Sequence, residues 1–235
     1  MAVCLAALVL GAGCTPPGRP TNADIDLKPG EVRDFAVLYG QNCAGCHGKD
    51  GKGSAALPLA NPVYMAIASD DVIRHAVASG IRGSLMPAFA KSSGGTLTDD
   101  QIEILVHEMR THWATPQMAT RFPSRPLNAT PPPYAAKEPG NAIAGARAYA
   151  TFCASCHGTN GYGPRGSIVD GSFLALVSDQ NLRTTIIAGR PDLGHPDWSH
   201  DAPGQVMTPQ EVTDVVAWLV AQRKAHPGQP YANKN

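Results

Sequence analysis

The chain is poor in aromatic residues, in net charge and in long apolar runs, and each shortage excludes something. Phenylalanine, tyrosine and tryptophan make up 6% of its 235 residues. Small domains built from so few aromatics have modest cores, and extra apolar mass such as a bound cofactor helps to hold such domains together. Nineteen basic residues balance 19 acidic ones. That balance excludes nucleic acid as a partner, because a phosphate backbone demands a basic surface. The one marked apolar run, "MAVCLAALVLGAGC" at residues 1–14, falls short of the roughly 20 residues that span a bilayer as a helix. No segment sustains the period-two alternation of a half-buried strand, so the fold class expected is all-α.

What is present is a repeat. "LYGQNCAGCHGKDGKG" at 38–53 matches "AYATFCASCHGTNGYG" at 148–163. "SDDVIRHAVASG" at 69–80 matches "SDQNLRTTIIAG" at 178–189, and "LTDDQIEILVHEMR" at 97–110 matches "MTPQEVTDVVAWLV" at 207–220. A constant offset with single-residue slips marks a tandem duplication. The expected organisation is an export signal at 1–13, a tether at 14–30, domains at 31–113 and 140–223, a Pro-rich linker at 114–139 and a tail at 224–235. Three consecutive prolines, Pro131 to Pro133, forbid a helix and favour a stiff, extended linker.

Each copy has the same local plan. A helix leads into the cysteines, and a Gly-rich loop follows them. A middle helix starts at Ser69 or Ser178, which are N-cap residues, and stops at Gly80 or Gly189. A last helix starts at Thr98 or Thr208 and buries Ile102, Leu105, Val106 and Met109, or Val212, Val215, Val216 and Leu219, at helical spacing.

The chemistry lies in the cysteines. Cys43, Cys46 and His47 form one CxxCH, and Cys153, Cys156 and His157 form the second. Two thiols at this spacing reach both vinyl groups of one haem, and the adjacent histidine faces the iron: the c-type haem attachment motif. A four-cysteine zinc site would need the two pairs to converge, yet each belongs to its own repeat. A thioredoxin-like pair would need a βαβ setting, which is missing. Gly48 and Gly158 follow the motifs, where backbone is expected to pass close to a porphyrin.

With "CAGCHGKDGKG…MPAF…LTDDQI" in the first copy, each repeat resembles a class I cytochrome c domain, and the whole chain is similar to bacterial di-haem cytochromes c of the lipoprotein kind. The resemblance implies two tandem domains, each wrapped around one covalent haem c, and a loop residue on the far face of each iron. In the first copy that residue is Met86. In the second, "GRPDLGHPDW" at 189–198 aligns without a gap on "GIRGSLMPAF" at 80–89 and puts His195 on Met86, each followed by a proline. Met207 is the competing ligand, although it aligns with Leu97, where a residue packing the helix start belongs. An open iron or one bound by His200 is the third alternative. A nearby proline carbonyl accepts the proximal histidine's N–H in the family; Pro58 suits that role, while Pro164 comes early for it. His75, His107, His112 and His226 are expected to be solvated, and Tyr39 and Tyr149 to pack the helices near the haem.

The N-terminal run reads as the apolar core of an export signal, although no positive residue precedes it. Its end, "LGAGC", resembles a bacterial lipobox, with Gly11 where leucine is usual. Cys14 is then the lipidated residue, and Cys4 leaves with the signal; a cleaved signal without lipid is the alternative. The function implied is electron transfer in a bacterial respiratory or photosynthetic chain. A quinol-oxidising complex or periplasmic dehydrogenase would be the donor, and an oxidase or soluble cytochrome the acceptor. The site would be the periplasmic face of the inner membrane, reached through a lipid anchor. The alternative is a di-haem peroxidase-like or sulfur-compound-oxidising enzyme with an open or exchangeable iron at the second haem. Methionine ligation favours ferrous iron more than imidazole does, so the second haem is expected to have the lower potential.

Overall fold

A computed structural model describes residues 26–114, 130–199, 202 and 204–224. The expected export signal, Cys4, Cys14, His200 and His226 lie outside the described residues. In the first repeat, α1 (Phe35–Asn42), α2 (Ala44–His47), α3 (Pro62–Ile67), α4 (Asp70–Ser79) and α5 (Asp99–Trp113) follow in order. In the second come α6 (Ala142–Phe152), α7 (Ala154–His157), α8 (Gly171–Leu176), α9 (Asp179–Ala188) and α10 (Pro209–Val220). The fold is all-α as expected, with one two-residue strand pair among the described residues: Tyr162–Gly163 pairs antiparallel with Gly166–Ser167. It closes the loop after the second CxxCH and is too short to show a period in the sequence.

The helix ends follow local chemistry. The Ser69 and Ser178 side chains accept from Val72 N and Asn181 N. Thr98 and Thr208 each form a capping box, with Gln101 and Glu211. The apolar positions expected on α5 and α10 are all buried, Leu105 and Val212 completely. The short helices α3 and α8 were not foreseen. Asn61 and Asp170 cap them, but a turn and a half shows no apolar period.

The two repeats close their outer ends with equivalent clamps. Arg110 on α5 bonds Asp70 and the Met65 and Ala68 carbonyls. Arg223, just past α10, bonds the matching Asp179 and the Leu174 and Val177 carbonyls. The helix crossings differ. A Cβ on Gly145 would lie 1.9 Å from the Asp214 carbonyl oxygen, so only glycine lets α6 pass this close to α10. Phe35 holds that position in the first repeat and stacks on His112, ring centres 5.0 Å apart.

A second divergence recruits the chain between the repeats. Arg74 on α4 pairs with Asp71 and Glu103. The matching Arg183 on α9 faces Gln180 and Thr213 instead, and is 4% exposed. Its guanidinium donates to the Pro133 and Tyr134 carbonyls and to Thr213. Gln180 also donates to the Tyr134 carbonyl, at 2.9 Å. Residues 133–134 are thereby pinned on the second repeat. The repeats also touch directly: α3 packs on α9, and the buried Asn61 amide donates to the Ala188 carbonyl at 2.8 Å.

Candidate functional site

Helices α1 and α6 end at the first cysteine of each motif, and the one-turn helices α2 and α7 carry the second cysteine and the histidine. Cys43 is buried, Cys153 half-buried, and Cys46 and Cys156 are exposed. Burial, with Cys46 beside it, pushes the Cys43 thiol up to about 12, the reverse of the acidic thiol of a redox CxxC. The glycines after the motifs are set by the turn itself. Gly48 has φ +83°, and a Cβ there would lie 1.9 Å from the Lys52 carbonyl oxygen. The Tyr39 hydroxyl donates to the Gly48 carbonyl at 2.9 Å, and that of Tyr149 to the Gly158 carbonyl at 2.5 Å. Tyr39 also packs edge-on against Trp113, and Tyr149 stacks on Trp218.

The histidines of the two motifs are held differently. His47 Nδ1 lies 2.8 Å from the Leu57 carbonyl oxygen. A carbonyl only accepts, so Nδ1 carries the proton and Nε2 keeps its lone pair. The acceptor is thus Leu57, one residue before the expected Pro58, although it belongs to the same prolyl peptide bond. His157 Nδ1 is buried with no partner among the described residues, and Pro164 does not serve it. Burial lowers the pKa of both imidazoles, with Arg190 adding to the effect at His47 and His195 adding to it at His157. Both therefore favour the neutral form, the one that binds metal.

The two loops facing them share an anchor. Gly80 and Gly189 end α4 and α9 with φ of +69° and +66°. A Cβ on Gly80 would meet the Met86 carbonyl oxygen at 2.7 Å, and one on Gly189 the Pro196 carbonyl oxygen at 2.4 Å. Leu97 N then donates to the Phe89 carbonyl, and Met207 N to the Trp198 carbonyl. Met207 thus sits where Leu97 sits, 1% exposed, while Met86 is half-buried at the edge of the core. His195 faces His157 with ring centres 5.9 Å apart. Its Nδ1 lies 2.8 Å from the Pro196 carbonyl oxygen, which likewise leaves Nε2 as the free lone pair. Of the remaining histidines, His75, His107 and His112 are exposed.

These residues fit a haem. Two imidazoles on opposite sides of one metal ion, with bonds of roughly 2 Å, have ring centres roughly 6 Å apart, close to the His157–His195 spacing. Trp198 Nε1, on the same loop as His195, is also buried with no partner among the described residues. Buried donors are rarely left unpaired, so the second repeat has places for polar groups that the described chain does not supply. Leu57, Trp198 and Arg190 were not singled out in the sequence. Arg190 had a signal, since it stands where the first repeat has the apolar Ile81.

The sequence matches the family described as "Cytochrome C oxidase, cbb3-type, subunit III" over residues 30–107 and again over 140–219. It is 31% identical over 196 residues to "Cbb3-type cytochrome c oxidase subunit CcoP" of Azospirillum sp. (strain B510), covering 75% of this chain and 58% of that protein. It is 35% identical over 92 residues to "Cbb3-type cytochrome c oxidase subunit FixPc" of Rhizobium leguminosarum bv. viciae, covering 38% of this chain and 31% of that one. The chain thus spans less than two thirds of the length of either relative. Among solved structures it is similar to the "Kuenenia stuttgartiensis reducing HAO-like protein complex Kustc0457/Kustc0458", at TM-score 0.47 and 14% identity, covering 85% of this chain and 100% of that one. With the family matched once in each repeat, the chain belongs to the cbb3-type cytochrome c oxidase subunit III family, as two tandem cytochrome c domains carrying two covalent haem c groups.

Proposed function

We propose that this protein moves single electrons between a quinol-oxidising complex or periplasmic dehydrogenase and a terminal oxidase, from the periplasmic face of the inner membrane. Cys43 and Cys46 hold the first haem and Cys153 and Cys156 the second. His47 and Met86 would hold the first iron, and His157 and His195 the second. Each haem supplies a one-electron iron couple, tuned by axial ligand, hydrogen bonding and burial. The chain's residues do the rest. The Leu57 carbonyl holds the His47 proton on Nδ1, and the Pro196 carbonyl does the same for His195, so each ring presents Nε2. Tyr39 and Tyr149 fix the turn behind each proximal histidine.

The observation that carries this reading is the placement of His195 opposite His157. Protein ligands on both faces leave an iron no site for substrate, which argues for a carrier over a peroxidase-like or sulfur-compound-oxidising enzyme. The relatives named as oxidase subunits support an oxidase as acceptor. Two imidazole ligands would give the C-terminal site the lower potential, so that electrons would enter there. An optical redox titration of the wild type and His195→Met tests this. The wild type shows two waves, and the variant raises only the lower one and gains a second methionine-ligation band in the near infrared. Two unchanged waves and an unchanged spectrum would overturn it.

A further inference from the structure

The loop that carries His195 also grips the first repeat. Arg190 Nη2 donates to the Ser54 carbonyl at 2.6 Å, and Nη1 approaches the Ala55 carbonyl at 3.4 Å. The same guanidinium forks onto Asp192, at 3.0 and 2.9 Å. Asp192 in turn accepts from the Gly53 backbone N–H at 3.2 Å. The Arg190 and Asp192 side chains are only 12% and 10% exposed, although the Asp192 backbone is open to solvent.

Both ends of this contact are tied to an imidazole. Arg190 and His195 exchange both backbone hydrogen bonds, at 3.0 and 2.9 Å, so neither moves without the other. On the far side, Ala56 N donates to the Cys46 carbonyl at 2.9 Å, and Leu57 holds His47 Nδ1. The guanidinium is thus the middle of a continuous path from His47 to His195.

The pair is not part of the shared domain plan. The first repeat has Ile81 and Gly83 at these positions, and neither has a polar side chain to reach a neighbouring loop. An ion pair withdrawn from solvent contributes little net stability, because desolvation offsets its attraction. Fixing register is the better-attested use of such a pair, and an arginine fork does so with more directional constraint than an ammonium. We infer that Arg190 and Asp192 are positioning residues that lock the His195 loop of the second haem site onto the His47 loop of the first, setting the relative placement of the two sites for electron exchange. This rests on the ligand assignment proposed above.

The test uses the full haem-loaded chain with Arg190→Gln, Arg190→Lys and Asp192→Asn. Two quantities are read: the haem-to-haem exchange rate after flash reduction, and deuterium uptake by the 52–57 loop. Both arginine variants should slow exchange by an order of magnitude or more and speed uptake, with axial-ligand spectra unchanged. Lysine should fail to rescue, because it keeps the charge and loses the fork. If Arg190→Gln does not fold, Asp192→Asn still weakens the fork, because the amide keeps one acceptor oxygen but loses the charge that pairs with Arg190, and should speed uptake. Wild-type exchange and wild-type uptake in the folded variants would overturn the inference. So would an altered second-site spectrum with normal uptake, since Arg190 would then serve only its own loop. Failure of the ligand assignment appears separately, in His195→Met, while loop uptake still reports the clamp.

Discussion

His47 and His157 occupy matching positions and differ in one bond. The Leu57 carbonyl accepts from His47 Nδ1, while His157 Nδ1 has no partner among the described residues. Such a bond makes an imidazole a stronger donor to its metal, which favours ferric iron at the first site. The Pro196 carbonyl does the same for His195 at the second site, so each site has one such imidazole and these bonds leave the order expected from the ligands in place. Met207 shows the residue scale more simply. It is the more usual ligand type, yet it occupies the packing position of Leu97. Met207→Leu should therefore leave both midpoint potentials unchanged and cost less than about 1.5 kcal/mol in denaturant unfolding, as volume-conserving core swaps do. A shifted potential would move the ligand from His195 to Met207. The repeat alignment favours His195 over Met207 for the ligand role, because it compares position as well as chemistry.

At the scale of elements, helix ends carry both the caps and the loop anchors. Thr208 caps α10 and closes a box with Glu211; Thr208→Ala should cost about 1 kcal/mol by urea unfolding, with the haem spectrum unaltered. Gly189 ends α9 in a left-handed conformation, with the His195 loop folded onto it. Gly189→Ala adds strain of about 1–3 kcal/mol and a clash with the Pro196 carbonyl. It should therefore alter the second-site spectrum as well as stability. Equal, purely thermodynamic losses in the two variants would show that the glycine is only a cap. Both caps could be read from the sequence because their chemistry is local. That the glycine also seats the His195 loop could not, because the loop returns to it from seven residues downstream.

At the scale of the molecule, the duplicated units are joined by residues at which the repeats diverge. Arg183 takes the Pro133 and Tyr134 carbonyls where Arg74 takes Asp71 and Glu103. Arg190 and Asp192 stand where the first repeat has Ile81 and Gly83. The attachment of the whole to a membrane is proposed to lie at Cys14. Among the described residues no helix is long and apolar enough to cross a bilayer, and dual acylation is enough for stable anchoring. Cys14→Ser should release the protein into the soluble fraction on cell fractionation; retention on the membrane would assign the anchoring to another segment or a partner.

The sequence by itself determined the all-α class, the duplication, the helix caps and the haem-binding motifs. Each of these depends on neighbours within a few residues or on identity between the two copies. The tertiary structure alone decided that Leu57, not Pro58, holds His47, that His195 faces His157, and that Arg190 reaches Ser54 across the domain boundary. A carbonyl acceptor leaves no trace in residue type, since every residue has one. A contact spanning 136 positions of chain exists only after both repeats have folded and α3 has met α9.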